Sequence, residues 1–193
     1  MNNNLKILKF FADNKDRKFT IKKTSEALKI NYRIAHEEIS SLEKDKLIKI
    51  EKHGNSKICQ FDYKYSSKIV EVEEIRKQEL FRNKDIKLIY ARIKETTNPF
   101  YILVVFGSHV NRTHTKNSDI DICLITDSKD VNKQIQSILS ITPIDIHLQE
   151  FSSYDFLSML KSKESNVGNE ILKNNIILYG IEGFCELVNS VKQ

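Results

Sequence analysis

Tryptophan is absent from the 193 residues, proline occurs twice, glycine five times and cysteine three times. So little glycine and proline excludes a collagen-like or low-complexity chain and a long flexible linker, and it makes each such position informative. Cys59, Cys123 and Cys185 are odd in number and far apart, so they supply neither a zinc-ligand spacing nor a disulfide framework. They read as buried thiols of a protein kept in a reducing compartment. Long apolar runs are missing too. The longest, Phe100 to Phe106, falls well short of the ~18 residues that mark a membrane-spanning helix, and the opening Met-Asn-Asn-Asn-Leu-Lys contains no apolar signal-peptide core. These features predict a soluble, cytoplasmic protein with no membrane partner.

Charge divides what is present. Residues 1–65 carry 15 Lys and Arg against 9 Asp and Glu, whereas residues 66–193 carry 16 against 17. A basic module joined to a near-neutral larger one points to a polyanionic partner for the module, although a Lys-, Asn- and Ile-rich composition can also follow from codon bias.

Within residues 1–65, Leu5, Ile7, Leu8, Phe10 and Phe11 mark the apolar side of a short helix ending near Asp13 and Asn14. Thr20 is a candidate N-cap for a second helix with Ile21, Ala27 and Leu28 inward. Asn31 is the corresponding cap for a third that buries Ala35, Ile39 and Leu42. Only Lys29 to Asn31 separates the two, a helix-turn-helix spacing. Ile48 and Ile50, then Ile58 and Phe61, mark two strands joined at His53-Gly54-Asn55-Ser56. Three helices and a hairpin make a winged helix.

The stretch from Thr20 to Phe61 resembles the winged helix-turn-helix domains of prokaryotic transcription regulators. The resemblance implies a duplex-DNA partner. The third helix would lie in the major groove with Tyr32, Arg33, His36, Glu37 and Ser40 outward, and Lys52 and Lys57 of the wing would meet phosphate. Glu37 and Glu38 depart from this pattern because carboxylates repel phosphate, and the same fold also serves as a protein-interaction module.

Residues 66–98 are polar and helix-prone, with drifting apolar spacing from Ile69 to Ile93. They read as a helical connector, one helix or two broken near Asn83, with a homodimer-forming helix as the alternative. Thr96-Thr97-Asn98 ends it and Pro99 opens the third segment, 99–193.

Phe100 to Phe106 reads as a central strand ending at Gly107-Ser108, where a glycine lets backbone approach a ligand and a following helix would turn free N–H groups and the Ser108 hydroxyl toward an anion. Ser118-Asp119-Ile120-Asp121 then leads into an apolar strand through Ile125. Side chains alternate on a strand, so Asp119 and Asp121 share a face. After a helix over Ser128–Ser140, Pro143 opens a strand Ile144–Leu148 containing Asp145, an acid with no reason to sit among isoleucines unless its charge is matched. On neighbouring strands, three such carboxylates bracket two Mg²⁺ ions, an arrangement that binds a nucleoside triphosphate and orients an attacking oxygen. His109, His114 and His147 are not at ligand spacing to one another; His147 shares a strand face with Asp145, which could place it at the site, but it reads first as a half-exposed strand residue. Lys116 reads first as a solvated loop lysine. Helices over Ser152–Lys163 and Val167–Asn174 and a strand Ile176–Tyr179 follow.

Gly107-Ser108, Asp119-Ile120-Asp121 and the distant Asp145 resemble the nucleotidyltransferase superfamily that includes DNA polymerase β. More narrowly, "VVFGSHVNRTHTKNSDIDICLI" is similar to the minimal, antitoxin-like nucleotidyltransferases. The resemblance implies that Gly107, Ser108, Arg112 and Ser118 bind nucleotide. Asp119, Asp121 and Asp145 would be the catalytic metal ligands, with Asp145 also the base for the acceptor. The family usually places a basic residue and then glycine a few positions after the serine, where Asn111 and Arg112 stand here.

The whole chain is thus expected to be an α/β protein of α+β type. Its parts are a winged helix-turn-helix at 1–65, the connector at 66–98 and, at 99–193, a nucleotidyltransferase fold with a short mixed sheet flanked by helices. The resemblance implies Mg²⁺-dependent transfer of AMP from ATP, or of another nucleotide, to a hydroxyl such as a tyrosine of a toxin-like protein. The DNA-binding part would regulate the shared operon. A regulator that only senses nucleotide is the alternative.

Overall fold

The computed structural model describes residues 1–54, 56–96, 98–115, 117–162 and 164–191. Asn55, Thr97, Lys116 and Lys163 lie outside the described residues. The chain divides into two compact units, Met1–Val72 and Glu73–Gln193.

The first unit contains α1 (Asn3–Ala12), β1 (Phe19–Thr20), α2 (Ile21–Leu28), α3 (Tyr32–Lys44), β2 (Ile48–His53) and β3 (Ser56–Phe61). The Thr20 and Asn31 side chains cap α2 and α3 by accepting from the Lys23 and Arg33 amides, satisfying N–H groups that no helical carbonyl reaches. Between these helices Lys29 takes φ 53 and the Ile30 amide returns to Ser25 O, so a glycine-free turn closes α2 in the left-handed conformation. Ala27 is exposed, contrary to expectation. Thr24 and Ser25 take the inner face instead, their hydroxyls bonded to the carbonyls of Thr20 and Lys22. The three strands pair antiparallel in the order β1-β3-β2; the two-residue β1, too short to carry a period, has no signature in the sequence. Ile7, Leu8, Phe11, Ala35, Ile39, Leu42, Leu47 and Cys59 form this unit's interior.

The stretch 66–98 is shared between the units. It forms α4 (Ser67–Leu80) and α5 (Lys84–Ile93), broken at Asn83, whose side chain caps α5. Ile69 and Val72 belong to the first unit, while Ile86, Ile89 and Ile93 enter the core of the second.

The second unit continues with β4 (Ile102–Phe106), α6 (Ser108–Asn111), β5 (Ile120–Ile125), α7 (Lys129–Ser140), β6 (Ile146–Phe151), α8 (Ser153–Lys161), α9 (Val167–Lys173), β7 (Asn175–Tyr179) and α10 (Ile181–Ser190). Its sheet runs β6-β5-β4-β7; β5 and β6 are parallel and the other neighbours antiparallel, so the sheet is mixed. One face buries Leu103, Val105, Ile120, Ile122, Leu124 and Leu178 against Ile86, Ile89 and Ile93 of α5 and Val131, Ile135 and Leu139 of α7. On the other, α10 approaches Ile102 of β4, and its Phe184 meets Phe156 of α8. β7 is an edge strand, and Glu73 and Arg76 of α4 reach its free edge. Glu73 accepts from the Ile177 amide at 3.2 Å, Arg76 donates to Asn175 O at 2.8 Å, and the two side chains, both buried, pair at 2.6 Å.

Cys59, Cys123 and Cys185 are free and buried. Burial pushes the Cys59 thiol up to about 11 and raises that of Cys123 further. Among the described residues no helix is long and apolar enough to cross a membrane.

Candidate active site

Gly107 joins β4 to α6 with φ 70 and ψ −145, a combination open to glycine. A Cβ added there would stand 3.0 Å from Asp121 Cγ and closer still to Oδ2. Glycine is required because the Asp121 carboxylate lies against this backbone. The helix that follows is a single turn, closed by the Val110 and Asn111 amides on Gly107 O. Four residues align few peptide dipoles. The anion-binding capacity expected of a longer helix therefore reduces to the Gly107–Ser108 loop.

Asp119 and Asp145 each stand one residue before a strand, and the Ile120 amide donates to Asp145 O at 2.9 Å. The parallel register matches Ile120 with Ile146 and Asp121 with His147, which sets Asp119 opposite Asp145. Facing residues of a parallel pair project to the same side. Asp121 and His147 therefore share one face, Ile120, Ile122, Ile146 and Leu148 turn to the core, and Asp119 and Asp145 stand beside each other at the start of the pair. Asp145 itself requires a correction. β6 begins at Ile146 and not at Ile144, the carboxylate is exposed, and the argument from a charge stranded in an apolar strand does not apply. Thr142 to Ile144 form a turn, the Ile144 amide returning to Thr142 O, so Pro143 opens a loop.

Asp119, Asp121 and Asp145 offer only carboxylate oxygens, the donor set of hard cations such as Mg²⁺. The seat that Gly107 makes for Asp121 fits that role. Among the described residues no three His, Cys, Asp or Glu side chains already enclose an ion-sized space.

A family model described as "Polymerase beta, Nucleotidyltransferase" matches residues 77–182, more than half of the chain. The chain belongs to the polymerase β nucleotidyltransferase family. The match spans β4 to β7 and every residue of the site above. Comparison with curated proteins finds no match. Among solved structures, one described as the crystal structure of a toxin-antitoxin with AMP-PNP is similar at 18% identity and TM-score 0.37, covering 56% of this chain and 82% of that one.

Arg112, at the position where the resemblance leads one to expect glycine, adopts the left-handed conformation a glycine would take, φ 59. A non-glycine residue there carries a backbone cost of roughly 1–2 kcal/mol. Its guanidinium is exposed and lies 3.7 Å from Glu79. The Ser118 hydroxyl accepts from the Thr115 amide at 2.9 Å and so closes the loop before Asp119. His109 and His114 stack at 4.3 Å, brought together by the turn at Arg112, which the five-residue separation in sequence did not reveal. Burial holds the pKa of His109 below the usual histidine range. Both rings, with Asp85, Ser118 and Asp145, border a cavity of about 730 Å³. His147 is exposed, as a strand histidine there reads, yet its Nδ1 lies 3.2 Å from Asp121 Oδ1.

The other candidate residues lie on the first unit. Tyr32 and Arg33 of α3 are exposed, and His36 and Ser40 are half-buried. Lys52 and Lys57 face each other across β2 and β3, and Lys57 Nζ lies 3.4 Å from His36 Nε2. Glu37 is paired with Arg33 at 2.9 Å and Glu38 accepts from Asn4 at 2.8 Å, so each of the two carboxylates has a local partner.

Proposed function

We propose that the chain transfers a nucleoside monophosphate, AMP from ATP, to a hydroxyl, the hydroxyl oxygen bonding to the α-phosphorus as the bond to the β-phosphate breaks and pyrophosphate leaves. Asp119, Asp121 and Asp145 would hold Mg²⁺, and Asp145 would take the acceptor's proton. Gly107 and Ser108 receive the triphosphate, with Arg112 and Ser118 beside it. The bound ions would supply charge neutralisation on the phosphates; the chain's own part is to bring three carboxylates to one end of the β5–β6 pair and to hold backbone close to Asp121. One observation carries this reading: the β5–β6 register that sets Asp119 opposite Asp145, with Asp121 seated on Gly107. The acceptor is proposed from the resemblance of the segment Val104–Ile125 to antitoxin-like enzymes, as a tyrosine of a toxin-like protein.

The first unit is proposed to be a winged helix that binds duplex DNA through Tyr32, Arg33, His36, Ser40, Lys52 and Lys57. Directly opposed lysines on a two-stranded edge repel each other, and a polyanion relieves that repulsion. Pairing of Glu37 with Arg33 supports the same reading, because it lowers the repulsion the carboxylate would exert on phosphate.

The test is incubation with Mg²⁺ and α-labelled nucleoside triphosphates, with and without the product of the adjacent gene. Label transferred to protein by the wild-type chain, and lost in Asp119→Asn and Asp121→Asn with melting unchanged, is the expected result. Removing one of two neighbouring like charges does not weaken an empty site. Nucleotide that binds without any transfer would favour the sensor reading, and undiminished transfer in both variants would refute the site.

A further inference from the structure

We propose that His147 is a positioning residue for Asp121, fixing that carboxylate by a hydrogen bond from Nδ1–H to Oδ1. The inference rests on the reading of Asp119, Asp121 and Asp145 as cation-holding carboxylates, and it gives a role to a fourth residue that the motif does not include and that the strand pattern left without one.

Three observations meet at this side chain. The parallel register places His147 directly beside Asp121, on the same face, so the contact is built into the strand pairing. Nδ1 stands 3.2 Å from Asp121 Oδ1, while Nε2 stands 2.7 Å from the side-chain amide of Gln149, two residues on and therefore on the same face again. The imidazole is 57% exposed, so packing does not hold it; these two polar contacts do.

The chemistry of the partners orders the protons. An ionised carboxylate only accepts, so the ring must carry hydrogen on Nδ1 for the contact to be a bond. A neutral ring then has its lone pair on Nε2, and the Gln149 amide donates to it. Gln149, His147 and Asp121 thus form a chain of donors running in one direction, ending on Oδ1. The second oxygen, Oδ2, lies against Gly107. Turning the carboxylate breaks the bond at one oxygen or drives the group into backbone at the other. Partners of this kind orient a ligating group, and their loss typically costs about 10- to 100-fold in metal affinity.

The experiment uses the full chain and Mn²⁺ as a spin probe for the cation, titrated in the presence of ATP and read by the loss of the free-ion resonance. His147→Ala is expected to weaken Mn²⁺ binding at least ~10-fold. His147→Asn, whose amide N–H occupies the place of Nδ1–H, should recover most of that loss, and His147→Gln, which reaches the Nε2 position, should not. The transfer rate of His147→Ala should return toward wild type when Mg²⁺ is raised to saturation, because the group acts through metal occupancy. Wild-type affinity in His147→Ala would overturn the proposal. Equal loss in His147→Asn would overturn it as well, since the imidazole would then be acting as a ligand in its own right. A wild-type chain that binds no Mn²⁺, indistinguishable from Asp121→Asn, would refute the carboxylate site together with this inference. Binding in the wild type that is lost in Asp121→Asn but kept in His147→Ala would refute the inference alone.

Discussion

Replacing Gly107 by alanine separates the backbone role of this residue from its role in the site. The positive φ of 70 puts a strain on any residue with a Cβ, of order 1–3 kcal/mol. A second effect is local. The new methyl would stand 3.0 Å from Asp121 Cγ and 3.3 Å from its Cβ, nearer again to Oδ2, so the carboxylate must move away. The atoms in the way belong to the end of a side chain, which swings more readily than backbone. The clash should therefore be relieved by displacing Asp121 and not by distorting the sheet, and the loss should fall on activity more than on stability. A displacement of roughly 1 Å at a reacting centre costs on the order of 100-fold, which is about 2.7 kcal/mol of barrier. Two other glycines provide the controls. Gly54 has φ 58 with nothing within 4 Å of an added Cβ, and Gly180 has φ 77 with Tyr101 O at 2.7 Å. Gly54→Ala carries only the backbone strain. Gly180→Ala meets backbone that cannot swing aside and should be the least stable of the three. Thermal melting should rank Gly180→Ala below Gly107→Ala and Gly107→Ala below Gly54→Ala, while Mg²⁺-dependent transfer collapses in Gly107→Ala beyond what its melting accounts for. A folded Gly107→Ala chain that transfers at the wild-type rate would refute the argument that glycine is there for Asp121.

Asp145→Ala should still bind Mg-ATP within roughly tenfold, about 1.4 kcal/mol, yet transfer at least ~100-fold more slowly, as expected of a group that acts on the acceptor in the transition state. Calorimetry with single-turnover rates checks the split, and transfer at the normal rate would remove Asp145 from the site. Glu73→Gln should destabilise the second unit by about 3–5 kcal/mol, the cost of breaking a buried ion pair, because it removes the carboxylate charge that meets Arg76 at 2.6 Å; a denaturant midpoint within error of wild type would show that the pair does not hold the β7 edge. The chain should bind duplex DNA with an affinity that falls steeply with salt, and Arg33→Ala and Lys57→Ala should each reduce the slope of log affinity against log salt by about one. Salt-independent or absent binding in a filter or anisotropy assay would return the first unit to a protein-interaction role.

Elements whose limits are set by a neighbouring side chain were legible in the sequence. Thr20, Asn31, Ser128 and Ser152 each accept from an amide of the helix they precede, and the helices begin where those residues stand. Periodicity likewise told which face of a strand turns inward, so Ile120 and Ile122 are buried and Asp119 and Asp121 are not. Such signals say which side of an element is covered without saying by what. Glu73 and Arg76, three apart on a polar helix, carry nothing in the sequence that tells them from a surface pair; they are buried because they reach the free edge of β7, a fact set by sheet order. The same holds for the site. Asp145 carried a signal because an acid among isoleucines is unusual, although the exposed turn before β6 was not the setting that signal implied. His147 carried a weaker one, the strand face it shares with Asp145, and an exposed strand histidine is ordinary until its partner across the parallel pair is known to be Asp121. Residue type and spacing mark the groups that do chemistry, whereas strand register decides which ordinary side chains stand beside them. A reading of the motif alone therefore finds the carboxylates and passes over the residue that aims one of them.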